Sequence, residues 1–174
     1  MRTLFFLLFS ILTFSQQTKS VDFLKCEANV MPDFDSKSIG GKISYEFKIK
    51  SIIDTIRIDA KNMEFAEVVI NGKNVKHINN NKELLLFEGF KKGKNKLTFQ
   101  YSATPKQTLY FTGNLNEVSA QNSNLQIWTQ GQGRYTSHWL PSFNDVNEKV
   151  IFSVSIIHNS KFIAISNGIE TYSL

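Results

Sequence analysis

At 174 residues the chain has room for one well-packed domain and not for a multidomain enzyme. A hydrophobic fraction of 41% with 13% aromatics excludes a disordered chain, and the single cysteine, Cys26, excludes an intrachain disulfide, so the fold must rest on its core. Much of the formal charge of +5 sits in Lys91-Lys92-Gly93-Lys94-Asn95-Lys96, which reads as a solvated turn or guarded edge and not as a nucleic-acid surface.

The chain opens on a leader. Arg2 supplies a positive first region, Leu4 to Phe14 is apolar apart from Ser10 and Thr13, and Thr13-x-Ser15 offers small side chains for cleavage. The run is too short to span a bilayer, so residues 1–15 are expected to be a cleaved signal peptide. On that reading residues 16–174 form the mature, exported chain, periplasmic or extracellular, with no membrane span. No cysteine follows the cleavage position, which argues against a lipidated N-terminus.

Phe23 to Val30 reads as the first strand, with Cys26 alternating with Leu24 and Ala28 as a small buried hydrophobe. A loop through Pro32, Asp33 and Asp35 follows. Ile43, Tyr45, Phe47 and Ile49 then alternate with Lys42, Ser44, Glu46, Lys48 and Lys50, the pattern of a strand with one wet face. Asp54 to Ala60 repeats it with Ile56 and Ile58 inward. Met63 to Phe65 leads into Val68 to Ile70, and Asn71-Gly72 signals a tight hairpin whose partner is expected at Val75 to Ile78. Leu84 to Phe87 has a strand's length. Leu97, Phe99, Tyr101 and Ala103 alternate until Pro105 stops them. After Leu109 to Phe111, the polar stretch Thr112 to Asn124 reads as a surface loop. Two more strands are expected at Val150 to Ile157 and Phe162 to Ile165, the second ended by Asn167-Gly168. No segment carries helical periodicity. Short strands with closely spaced turn signals predict an all-β fold, an antiparallel, saddle-like β-sandwich.

Chemistry is sparse outside Leu125 to Val146. There the strand formers Leu125, Ile127 and Trp128 run into Thr129-Gln130-Gly131-Gln132-Gly133, where two glycines allow positive φ or close approach of another group beside two amide side chains. A bulge that happens to contain glutamine fits the same residues. His77, His138 and His158 lie at no ligand spacing, and H-E-x-x-H, a Cys/His cluster, a phosphate loop and G-x-S-x-G are all missing. No catalytic residue and no metal ligand is therefore assigned. Asp145 and Glu148 have no glycosidase framing, and Asp145 reads as a helix or turn cap. Trp128 and Trp139 fit either a buried position or a sugar-stacking platform.

The segments Leu125 to Gly133, Leu140-Pro141-Ser142-Phe143-Asn144-Asp145 and Glu148-Lys149-Val150-Ile151-Phe152 together resemble the N-terminal domain of the aminopeptidase N family, zinc enzymes that include leukotriene hydrolase. The family pattern runs T-Q-x-E or T-Q-x-Q, then F-P-C-F-D-E-P, then a lysine and an apolar strand. Ser166-Asn167-Gly168 is similar to its usual strand end, and the order of segments agrees over the whole mature chain.

The resemblance implies a β saddle packed on a thermolysin-like zinc domain, with the T-Q-x-Q loop reaching the active cleft. Gln130 would line the pocket for the substrate's first side chain and Gln132 would accept from its free amino group, with Gly131 between them. Gln132 carries no charge where many aminopeptidases have Glu, which implies weaker amine selection or a leukotriene-hydrolase-like subgroup. The chain also departs from F-D-E-P at Phe143-Asn144-Asp145-Val146, has Ser142 for the cysteine, and lacks the arginine expected near Ser137-His138. It ends at Leu174, ahead of the family's G-x-M-E-N and H-E-x-x-H.

A truncated product, a fragment and a free-standing descendant all fit that ending. The expected partners are a separate or missing zinc domain and peptide N-termini, with no cofactor in this chain and no activity in isolation. On the first reading an apolar docking face is expected around Trp139, Leu140 and Phe143. The alternative is a secreted module that binds peptides or glycans through Trp128, Tyr135 and Trp139.

Overall fold

The computed structural model describes residues 17–113 and 125–171, and within them the chain is all β, with short 3-10 turns and no α-helix. The expected signal peptide and most of the expected Thr112 to Asn124 loop lie outside the described residues. The strands are β1 (Val21–Asp33), β2 (Ser38–Ile49), β3 (Ile56–Asp59), β4 (Met63–Ile70), β5 (Lys73–Asn74), β6 (His77–Asn79), β7 (Glu83–Leu86), β8 (Gly93–Ala103), β9 (Leu109–Thr112), β10 (Gln126–Thr129) and β11 (Ile151–Ile156). They build a six-stranded sheet in the order β11-β1-β2-β8-β4-β5, a three-stranded sheet β3-β7-β6, and a two-stranded sheet β10-β9.

The frame of the large sheet is the antiparallel trio β1, β2 and β8. Ile43, Tyr45 and Phe47 of β2 point inward, opposite Leu97 and Phe99 of β8, while Lys42, Glu46 and Lys48 stay wet. Ile56 and Ile58 of β3 and Leu84 and Leu86 of β7, all fully buried, close the core from the smaller sheet. Each such side chain contributes roughly 1.5–3 kcal/mol on leaving water.

Two bulges explain where simple alternation fails. In β1 the buried set is Val21 and Phe23, then Cys26, Ala28 and Val30, so the parity changes. The register slips between Phe23 and Lys25, and the extra residue sends Leu24 outward, not inward with Cys26 as alternation predicts. In β4 the buried set passes from Met63 to Val68 and Ile70 across a slip between Ala66 and Val69, with Glu67 at φ 52°. Cys26 itself is buried, and burial pushes its thiol up to about 12, which makes it a packing residue and no nucleophile.

The Asn71-Gly72 turn has both residues at positive φ, 51° and 81°, as a tight hairpin turn requires. Its partner is shorter than expected. Only Lys73–Asn74 returns along β4, after which His77–Asn79 crosses to pair with β7 in the other sheet. β11 departs from the antiparallel expectation, since it lies parallel to β1 in the register Lys25 to Ile151 through Val30 to Ile156. The strand expected at Phe162 to Ile165 is not formed. The Ile157 N–H still donates to the Val30 carbonyl of β1 at 2.8 Å, but residues 158–171 pair with no strand among the described residues and are nearly all exposed, with Ile163 89% and Ile165 92% accessible.

Candidate functional site

The amide loop is carried on the small sheet. β10 pairs with β9 so that Trp128 faces Tyr110 and Thr129 faces Leu109, and the Tyr110 and Trp128 rings stack at 4.4 Å with both substantially exposed. The chain then turns out through Gln130, Gly131 and Gln132, all exposed. The Gln130 side chain donates from Nε2 to Gln132 Oε1 at 3.4 Å, so the two amides lie side by side on an open surface. A Cβ at Gly131 would run into Thr136 Oγ1, and Gly133 sits at φ 73°, a region that favours glycine.

A residue that sequence reasoning passed over fixes this loop. Thr108 is buried and sits at φ 72°, a region that costs a β-branched residue on the order of 1–3 kcal/mol. Its carbonyl accepts the Gln130 N–H at 3.0 Å and its hydroxyl donates to the Tyr135 carbonyl at 3.2 Å. Thr108 therefore ties down both ends of the segment that displays the glutamines. No sequence signal marks it, because threonine argues against a left-handed backbone.

Beyond the loop the chain folds back as a belt over the core. The Tyr45 hydroxyl, fully buried, donates to the Pro141 carbonyl at 2.6 Å, and Asp59 and Ser142 exchange backbone hydrogen bonds of 2.9 Å each way. The Asp59 carboxylate accepts the Asn144 N–H at 2.7 Å, and Ser137 Oγ donates to Asn144 Oδ1. Phe143 packs on Phe23 at 4.3 Å and on Tyr45 at 5.4 Å, while Leu140 is buried and Trp139 is partly buried against the core. Trp139, Leu140 and Phe143 are thus core and core-lining residues, not the exposed docking face expected of them. The face left uncovered is β11, where Ile151, Phe152, Val154 and Ile156 are all exposed.

The titratable groups here serve structure. Glu148 accepts the Phe23 N–H at the β1 bulge, and burial raises its carboxyl to about 6. Burial also raises Asp59, against the lowering effect of the Asn144 hydrogen bond. Burial and Lys61 push His138 down, and the Gln107 amide lies within hydrogen-bond reach of its ring at 3.3 Å. Asp145 does cap a turn, accepting the Asn147 N–H through Oδ1. His77, His138 and His158 lie on separate elements. Among the described residues no group of three or more His, Cys, Asp or Glu side chains is placed to hold a metal ion. The donor set that a zinc ion needs is not found among them.

Comparison with known proteins places this geometry. The family model described as Peptidase M1 N-terminal domain matches residues 24–173. Aminopeptidase 2 of Candida albicans (strain SC5314 / ATCC MYA-2876) is 23% identical over 163 residues, which is 84% of this chain and 17% of that protein. A mutant of the M1 zinc metallopeptidase from Deinococcus radiodurans, bound to a Tyr-Ser-Ala substrate, superposes with a TM-score of 0.72 at 15% identity, covering 88% of this chain and 36% of that one. Yeast LTA4 hydrolase in complex with bestatin gives 0.70 at 18% identity, covering 86% and 25%. The chain therefore spans only a minor part of each relative.

Proposed function

The chain belongs to the Peptidase M1 N-terminal domain family, and from that premise we propose that it is the non-catalytic, substrate-facing domain of an exported zinc aminopeptidase. In this reading Gln130, Gly131 and Gln132 form the part of the cleft that receives the free amino end of a peptide. The observation that carries it is the pinned, exposed amide pair. An ammonium only donates, so it seeks acceptors; Gln132 Oε1, oriented by the Gln130 amide N–H, keeps a second lone pair to offer one without a charge, and Gln130 brings a further amide oxygen to the same exposed loop. Thr108 supports the reading by spending backbone strain to hold the loop, a pattern common where geometry serves binding. The uncharged site selects amines by hydrogen bonding alone, which is weaker than selection by a carboxylate.

The zinc half docks, in this proposal, on the apolar β11 and the exposed isoleucines that follow it. The apolar leader supports export. The chain alone is inactive toward amino-acid arylamides supplied with zinc, and appreciable turnover defeats that part of the proposal. Calorimetry with a tripeptide and its N-acetylated form tests the rest. Binding of the free amine with loss on acetylation is expected, and equal binding of both refutes amine recognition.

A second reading, a self-sufficient binding module for peptides or glycans, is favoured by the exposed Tyr110–Trp128 stack beside the loop. It predicts a stable monomer that binds oligosaccharides or acetylated peptides through Trp128, where the first reading predicts a chain that self-associates through β11.

A further inference from the structure

We propose that the end of the six-stranded sheet where β2 stops and β8 begins is a contact surface for anionic lipid headgroups. Lys48 on β2 stands directly opposite Lys94 on β8, both exposed, although like charges facing each other across a ladder cost stability. The bridge between Ile49 and Lys92 brings Lys50, Lys91 and Lys92 to the same end. The acids nearby are Asp22, opposite Lys48 on β1, Glu46, which faces Lys96 one pair along the same face, Glu148, which interacts with Lys50, and Asp54 further along the loop. Among the described residues none of these lysines forms an ion pair.

The lysine turn is built, not loose. Asn95 is 6% exposed; its Oδ1 accepts the Lys91 N–H and the Asn71 amide, and its Nδ2 donates to the carbonyls of Lys91 and Gly93. Gly93 makes the bend at φ 90°. A turn that served only solubility has no need of a buried amide with four hydrogen bonds. This clamp fixes the backbone that carries Lys91, Lys92 and Lys94.

A second feature selects a lipid surface over a dissolved anion. In the loop after β2, Ile52 projects wholly into solvent at 101% accessibility while its neighbour Ile53 packs on the core. The loop is fastened to the first turn of the domain, with the Lys50 N–H donating to the Ser20 carbonyl at 2.7 Å and the Ser51 hydroxyl to Ser20 Oγ at 2.8 Å. An aliphatic tip held out among cations is unfavourable in water and favourable where headgroups meet acyl chains. A phosphate ion would use the lysines and leave Ile52 idle.

Vesicle sedimentation of the chain from Gln17 onward, whose core begins at Val21, tests this. Phosphatidylcholine vesicles with about one-third phosphatidylglycerol should bind it in a salt-sensitive way, and pure phosphatidylcholine should not. Lys91→Gln, Lys92→Gln and Lys94→Gln together should weaken binding on the order of 100-fold, and Ile52→Ser about tenfold. Lys82→Gln with Lys106→Gln, which lie toward the other end of β8, should leave it unchanged. All these side chains are exposed, so an unaltered melting temperature controls for folding. No binding, equal binding to neutral vesicles, or an unaffected lysine triple variant overturns the proposal. Indifference to Ile52→Ser with full competition by inorganic phosphate also overturns it, in favour of a soluble-anion site.

Discussion

Replacing Tyr45 by Phe removes a buried hydrogen bond that helps fasten the site-bearing belt to the core. The ring keeps its contacts with Phe23, Phe99 and Phe143, and what is lost is the hydroxyl, which donates to the Pro141 carbonyl at 2.6 Å and also meets the Cys26 thiol. Pro141 is buried, so its carbonyl is left without that donor, a loss worth about 1–3 kcal/mol. For a domain of this size that lowers the melting temperature by roughly 2–12 °C. Tyr101 supplies the matched control, since its buried hydroxyl has no protein partner among the described residues, and Tyr101→Phe should be neutral or slightly stabilising. Urea unfolding of the three chains measures both. The reasoning fails if Tyr45→Phe costs less than about 0.5 kcal/mol, or if Tyr101→Phe costs as much as Tyr45→Phe.

Three further outcomes follow from the same contacts. Glu148 has its folded carboxyl raised by burial to about 6 from an ordinary value of 4.5, so the folded chain holds that proton more tightly. Stability is then gained as pH falls from above 6 through 4.5 and lost as pH rises, with Asp59 adding in the same direction; Glu148→Gln should flatten part of this slope in pH-dependent urea melts, and an unchanged slope contradicts it. Thr108→Ala removes the hydroxyl that holds Tyr135 but keeps the strained backbone, so the Gln130 amide proton should exchange with solvent faster, by about an order of magnitude, in native-state hydrogen exchange; unaltered protection refutes the clamp. Val154→Lys places a charge on the uncovered β11, where the side chain is 43% accessible, and should reduce self-association in sedimentation velocity without lowering the melting temperature; undiminished association moves the docking face elsewhere.

What could be read in advance was local. The alternation from Lys42 to Lys50 gave β2 and its inward face, and Asn71-Gly72 gave a turn, because each depends on neighbours in sequence. Leu24 deceived because a bulge shifts parity without leaving a mark in composition. Val150 to Ile157 and Phe162 to Ile165 look equally strand-like, yet only residues 151–156 become a strand, because β1 offers one edge and a strand exists only where a partner does. Trp139, Leu140 and Phe143 were misplaced for a related reason. In an irregular segment no period says which side faces in, and Phe23 and Tyr45, far away in sequence, decide it. The exposed amides of Gln130 and Gln132 were legible from the glycines around them, and the Thr108 clamp was not.

The central claim is that this amide pair receives a peptide's amino end. Nuclear magnetic resonance of the isotope-labelled chain, with the side-chain amides of Gln130 and Gln132 assigned, follows it directly during titration with a tripeptide. The account predicts that both amide signals move with the free-amine peptide and stay in place with its N-acetylated form. Movement with both forms, or signals that stay fixed while binding registers at the Tyr110–Trp128 stack, would contradict it.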